Sequence, residues 1–458
     1  MSEEKHSARN DAVVRDVLRN GSNLDRRSLL VAAGTLGAAT AAGTGAAIAQ
    51  APAAPAAAPA AAPAAPARRV FQKSDARLLN MGATVRSGQY WNFTTLMTPV
   101  EEFYIRNHYP TPTSADKPVL ATENWKLKIH GPSVERPIEI TYNDLLKMRS
   151  RTIIATMECH GNARTLFWEQ GGFTGDQVAG GNWVLGAVGQ AEWRYVPMSE
   201  IFARVGIKKG ARTVLFWSGV DGNDMGRPMP YEDVVALQND MGICFAMNGN
   251  PLLPDHGAPV RVVVPGWGGT ASIKWLTEIK VTDKRVWCRL NTRGEVYIGP
   301  TFKAPENSPD DEFIGVTQAD IRGPMVTWMP PKSLITVPLV IDKSPSLPAN
   351  YPLKKAEVPK LSAGQQTVRG YAWAPRHGVR HVDYRINGGQ WTKATLVPPN
   401  LGKYRWVRFE FPWAPKAGSY TIETRTTDQS GYSQPATVPL NTLGMANGSI
   451  PKFRIDVV

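Results

Sequence analysis

The sequence predicts an α+β domain over residues 70–322 followed by an all-β sandwich over residues 325–458. Three observations carry that reading. Residues 70–322 mix short apolar strand patterns, Gly/Pro-rich loops and brief helical patterns, the texture of an α+β fold. Past residue 325, apolar and polar residues alternate at period two, with turn signals at sandwich spacing. A chain of 458 residues is also long enough for two cores once an unusual start is set aside.

That start has two parts. "DRRSLL" (25–30) leads into an Ala/Gly/Thr-rich, weakly apolar stretch that closes on Ala47-Ile48-Ala49. A charged flank, a bland apolar run and a small-residue cleavage site predict an export signal over residues 1–49, not a membrane anchor. The Arg26-Arg27 pair resembles a twin-arginine signal, so the expected destination is the periplasm. Residues 50–69 contain "APAAPAAAPAAAPAAPA". Such a run predicts an extended spacer with no core of its own. No later run is long enough for a membrane span.

Within the α+β part, "RTVLFW" (212–217) and "RVVVPG" (261–266) read as continuous apolar strands. "MSEIFARVGI" has helical spacing, with Ile201, Phe202 and Val205 on one face. No glycine fingerprint follows a strand, which excludes a Rossmann or P-loop nucleotide site. In the second part, "RHVDYRINGGQW" points Val382, Tyr384 and Ile386 inward before a turn at Asn387-Gly388-Gly389. "VRFEF" repeats the alternation with Val407, Phe409 and Phe411, and "YTIETRTTD" and "FRIDVV" add strands. The pattern is that of an immunoglobulin-like sandwich, a kind of module used more for association than for catalysis.

The net charge of +13 favours anionic partners. The basic residues are scattered, with no basic run and no nucleic-acid motif, so a small anionic substrate is expected and nucleic acid is not. Cys159, Cys244 and Cys288 are an odd number, which leaves at least one thiol free. There is no Cys-x-x-Cys-His for attaching c-type haem.

The chemistry centres on "TMECHGNAR" (156–164). A β-branched, apolar run from Arg151 feeds a tight loop in which Gly161 lets the backbone approach a bulky group. A thiolate at Cys159 is a soft ligand suited to a transition metal. A single cysteine is otherwise a buried small hydrophobe. Four further stretches bear on the choice. They are "YIRNHYPTP" (104–112), "SGVDGND" with Asp221, "DHGAPVRVVVPG" with His256 and Arg261, and "GGTASIKWL" with Ser272 and Lys274.

Jointly and in this order, the five stretches resemble the sulfite oxidase family of molybdenum–molybdopterin enzymes, over nearly everything after residue 80. The resemblance implies a sulfite-oxidase-type molybdopterin domain over 70–322 and an immunoglobulin-like dimerisation domain over 325–458, hence a homodimer. It implies that Cys159 ligates molybdenum and that Tyr104, Ile105, Arg106, Asn107 and His108 wrap the pterin. Asp221, His256 and Arg261 would contact pterin and phosphate, and Ser272, Ile273 and Lys274 would form a backbone-and-lysine cradle. Arg106, His108 and Arg164 would face the substrate, with Tyr297 in "EVYIGP" as the active-site tyrosine.

The implied function is periplasmic oxidation of sulfite to sulfate. Electrons would pass to an external acceptor such as a c-type cytochrome, because nothing here corresponds to the haem or flavin modules of animal and plant relatives. Two positions depart from the family pattern. His160 stands where alanine or serine is commoner, and Leu443 stands where the animal enzymes carry an arginine. Other readings stay open at this level: action on a sulfane sulfur or another sulfur oxyanion, nitrate reduction, or an exported β-rich binding module whose cysteine is structural.

Overall fold

The computed structural model describes residues 71–82, 84–170, 183–218, 220, 225–339 and 358–458. The export signal, the Ala/Pro spacer and Asp221 lie outside the described residues. None of the described helices is long and apolar enough to cross a membrane.

Two five-stranded sheets build the first part. One runs in the order Asn250–Pro251, Gly242–Met247, Val188–Pro197, Arg151–Glu158, with Arg261–Val263 also pairing Gly242–Met247. The last six residues of Arg151–Glu158 are all buried, so both faces of that strand are covered. Its apolar run is continuous for that reason. The other sheet runs Ile138–Thr141, Lys126–His130, Leu276–Thr282, Thr213–Ser218, Gly226–Pro230. The helix Met198–Val205 buries Met198, Ile201, Phe202 and Val205, as its spacing predicts. It stops at Gly206, whose φ of 66° is left-handed.

Two further sheets face each other in the second part. The first orders Lys332–Ile335, Gln366–Trp373, Trp406–Trp413, Thr395–Val397. The second orders Lys360–Leu361, Lys452–Val457, Gly418–Asp428, Val379–Ile386, Thr392–Lys393. Val407, Phe409 and Phe411 are buried, and Tyr384 stacks on Phe411 with ring centroids 3.7 Å apart. Of the three residues expected to point inward from Val379–Ile386, Val382 is buried while Tyr384 and Ile386 are only half-buried. The neighbour Asp383 is buried on the opposite face of the strand, held by Arg425 at 2.9 Å. Its turn falls at Asn387 and Gly388, both left-handed (φ 50° and 72°), the geometry a tight hairpin requires.

The two parts share one apolar cluster, and a buried polar knot ties them together. Lys332 Nζ donates to Glu158 Oε1 at 2.6 Å and to the Asn162 carbonyl at 3.0 Å. Trp373 Nε1 donates to Glu158 Oε2 at 2.8 Å, and Asn162 Nδ2 to Oε1 at 2.9 Å. The Lys332 and Glu158 side chains are 2% and 3% exposed, so water cannot replace either partner. Removing one partner of a buried pair costs about 3–5 kcal/mol, because the other charge stays buried. Lys332→Met should therefore lower the unfolding free energy in urea by about 3–5 kcal/mol. Lys332→Met combined with Glu158→Gln should lose less than the sum of the two single changes. Additive losses would show that the two side chains do not act as a pair.

Candidate active site

Cys159 follows the strand Arg151–Glu158 directly, and a tight loop anchors it. Its N–H donates to the Ala187 carbonyl at 2.9 Å and its carbonyl accepts from Asn162 N at 2.9 Å. Asn162 Oδ1 in turn accepts from Ala187 N at 3.0 Å. The close approach that Gly161 permits is to Arg164: a Cβ on Gly161 would lie 2.6 Å from the guanidinium. Arg164 is buried under the loop, donating from Nε to the Leu443 carbonyl at 3.0 Å and lying 3.6 Å from Met445 Sδ. Position 443 thus meets Arg164 through its backbone. Burial, then the Glu295 charge, pushes the Cys159 thiol up, against the pull of Arg106 and Arg164. Such a thiol ionises readily only against a cation.

Cys159 opens onto a cleft. Tyr104, Arg106, Asn107 and His108 form one wall, and His256, Arg261, Ser272, Ile273 and Lys274 form another. Ile105 is not part of it. Ile105–Arg106 is a short strand, and alternation turns Ile105 into a separate cluster with Phe71 and Leu78. Arg106 NH2 sits 3.3 Å from His108 Nε2. Arg261 is fixed by the His256 and Ser272 carbonyls at 2.9 and 2.8 Å and lies over the Trp193 ring at 5.3 Å. Lys274 Nζ donates to Asn107 Oδ1 and, at 2.8 Å, to the Asp255 carbonyl. Asp255 also caps the Gln72 and Lys73 N–H groups at 2.9 and 2.6 Å.

This wall is short of negative charge. Burial, and then the mutual repulsion of its cations, drives Lys274 well below its ordinary value, and burial lowers Arg261 to about 10. His256 is lowered well below its usual range by burial and by Lys73, and its buried Nε2 has no partner among the described residues. Crowded, desolvated donors of this kind suit a large anion. Among the described residues no three histidine, cysteine, aspartate or glutamate side chains group to hold a metal. A metal held by Cys159 would need ligands from a cofactor, and a phosphate-bearing dithiolene pterin would suit both the thiol and the cationic wall.

Tyr297 lies elsewhere. Val296 bridges Met325 and Tyr297 N donates to the Pro324 carbonyl, which carries the side chain into a neighbouring groove, stacked on Phe302 at 4.8 Å. The residue on the Cys159 cleft is Glu295, two positions earlier. Its backbone is left-handed (φ 57°), and this turn separates the two side chains. Glu295 Oε2 accepts from His160 Nδ1 at 2.5 Å. Burial opposes its ionisation, but the His160 hydrogen bond and the Arg106 charge outweigh that and hold its carboxyl below the usual range. Sequence reasoning missed Glu295; the one local signal was Gly294 beside it.

Residues 108–287 match the oxidoreductase molybdopterin binding domain. Tomato (Solanum lycopersicum) nitrate reductase [NADH] is 28% identical over 79% of this chain and 38% of its own length. Chicken (Gallus gallus) sulfite oxidase is 29% identical over 75% of this chain and 69% of its own. The sulfane dehydrogenase SoxCD from Paracoccus pantotrophus superposes with a TM-score of 0.63 at 25% identity, covering 81% of this chain and 84% of that one. The chain spans about two-fifths of the length of the nitrate reductases it matches. Cleft and match together define a molybdopterin-binding oxidoreductase domain. The chain is similar to sulfite oxidases and nitrate reductases over about three quarters of its length, and the domain it carries implies a molybdenum–molybdopterin cofactor.

His108 yields a test of the wall's electrostatics. Burial, then the Arg106 charge, lowers it from 6.5 to about 3. Between those values the unfolded chain binds a proton that the folded chain refuses, so stability rises with pH across that window. The melting temperature should fall as pH drops from about 7 toward 5, and His108→Gln should flatten part of that slope. An unchanged slope would count against a neutral His108.

Proposed function

We propose that this protein is a periplasmic molybdenum-dependent oxidoreductase that converts sulfite to sulfate and passes electrons to a separate acceptor such as a c-type cytochrome. The supporting observation is a single cleft that sets Cys159 beside Arg106 and a cationic wall, with Arg164 beneath the Cys159 loop. Cys159 would hold the metal, while Tyr104, Asn107, His256, Arg261, Ser272, Ile273 and Lys274 would hold the pterin and its phosphate. The bound cofactor supplies the oxygen-atom transfer and the two-electron exchange.

The chain's own task is to bind and orient. Arg106 offers a fixed guanidinium to a sulfur oxyanion, and His108, held neutral, accepts from Arg106 and keeps it aimed. Arg164 adds positive charge from a buried position, where screening by water is weak. The overall change is balanced: sulfite and water give sulfate, two protons and two electrons. A second reading, oxidation of a sulfane sulfur, draws support from the Glu295 carboxylate on the cleft wall and from the likeness to a sulfane dehydrogenase. The same proposal includes export through Arg26-Arg27 and association of two copies through an immunoglobulin-like C-terminal domain.

Protein purified from molybdenum-replete cells should carry about one molybdenum per chain, and Cys159→Ala should abolish sulfite-dependent ferricyanide reduction. Arg106→Gln should raise the KM for sulfite about tenfold to a hundredfold, the worth of one charge-assisted contact. Full activity in Cys159→Ala would sink the assignment, and turnover of a sulfane sulfur without turnover of sulfite would favour the second reading. Replacing Arg26 and Arg27 by lysine should strand the precursor in the cytoplasm. Efficient export of that variant would refute the twin-arginine route alone.

A further inference from the structure

A second groove lies against the loop that braces Arg164 and His160, and Met445 and Ala446 line it. Its wall is aromatic. Tyr297, Phe302, Trp328 and Tyr432 line it together with Pro330 and Pro331. Tyr297 and Phe302 stack nearly parallel, 14° apart in plane and 4.8 Å between centroids. Trp328 is fixed from behind: its backbone bridges Trp267, and a Cβ on Gly266 would lie 2.5 Å from its ring. Arg376 lies over that ring at 5.5 Å. Tyr432, 51% exposed, stands at the rim.

The polar groups of this groove are unbalanced. Trp328 Nε1 and the hydroxyls of Tyr297 and Tyr432 make no hydrogen bond among the described residues. The acceptors are already engaged: Asp428 Oδ1 accepts from Tyr432 N at 3.0 Å, and Asn441 Oδ1 from Met445 N at 2.7 Å. The complement of such a surface is an extended chain rich in carbonyls and poor in N–H groups, with proline rings to lay on aromatic faces. This sequence contains one. Residues 51–67 hold Pro52-Ala-Ala-Pro55 and Pro63-Ala-Ala-Pro66. Three residues per turn of a polyproline II helix put both prolines of each repeat on one edge, and that helix leaves its carbonyls unbonded.

We propose that residues 51–67 dock as a polyproline II strand in this groove of their own chain. The reach is sufficient. Near the start of the described chain, Lys73 donates to the Phe103 carbonyl at 2.7 Å. Tyr104 lies against Gly269, and Gly268 N donates at 3.1 Å to the carbonyl of Thr327, the neighbour of Trp328. From Pro55 to Val70 the chain spans about 45 Å at about 3.1 Å per residue, more than that short path demands. The docked segment covers Met445 and Ala446, and so packs down the loop on which Arg164 and the Cys159 turn rest. The inference holds whichever anion the cleft takes.

Elastase, which cuts after small residues such as alanine, reads the docking in the full chain with its cofactor bound. Cleavage within residues 51–67, followed bond by bond by mass spectrometry, tracks the undocked fraction. Trp328→Ala and Tyr432→Ala should each raise that cleavage at least about tenfold. Tyr432 belongs to no core cluster, so its variant guards against a folding defect in Trp328→Ala. Val119→Ala, at an exposed residue outside the groove, should cleave like the parent. A benzoylphenylalanine photo-crosslinker at position 432 should join to residues 51–67 with the mass of one chain.

Parent-like cleavage in both aromatic variants overturns the proposal, and so does equal acceleration in Val119→Ala. A cross-link with the mass of two chains would put a second copy in the groove. One to a foreign protein, or none to residues 51–67, would put something else there. Each of these overturns the assignment to the chain's own segment.

Discussion

The Glu158–Lys332 ion pair is the interaction on which the rest of the site depends. Glu158 is the last residue before Cys159, and among the described residues every hydrogen bond to its carboxylate comes from Lys332, Asn162 or Trp373. Two of those three belong to the C-terminal sheets. The carboxylate so fixed sets the exit angle of the strand Arg151–Glu158, and Asn162 passes that constraint on to Ala187 across the loop. The position of the Cys159 sulfur is thus set by packing between two halves of the chain as well as by its own loop. Buried charge of this kind contributes little net stability compared with an apolar substitute, but it permits one arrangement and penalises others.

Around that fixed point the cleft separates its charges. The wall of His256, Arg261 and Lys274 is cationic and desolvated, a cost the fold bears because an anion is to sit there. The side nearer Cys159 is mixed, with Arg106 and the deeper Arg164 set against Glu295. His160 joins the two by holding Glu295 from the residue next to Cys159. On the proposed reading, one flank would hold a permanent, highly charged guest and the other a transient one.

Much of this was legible in the sequence, and the failures have physical causes. Apolar runs and helical spacing located Arg151–Glu158, Thr213–Ser218 and Met198–Val205, because burial on both faces or on one stripe leaves a periodic trace. Gly161 was read as a point of close approach, and the structure identifies the bulky group as Arg164. Ile105 belongs to the 104–108 motif but not to the cleft, because a two-residue strand sends alternate side chains opposite ways. Tyr297 was displaced by a backbone reversal at Glu295, and a left-handed glutamate has no signature in composition or spacing. The Glu158 knot was likewise invisible, since its partners lie 174 and 215 residues away in sequence.

The reliance of the Cys159 loop on distant chain has a consequence for assembly. Arg164 rests on the carbonyl of Leu443, and the His160 carbonyl accepts from Ala446 N at 2.6 Å. Both contacts come from the last sixteen residues before the final stretch at 452–457. An ordered Cys159 loop therefore requires residues 443–446 to be in place, although none of them lines the cleft.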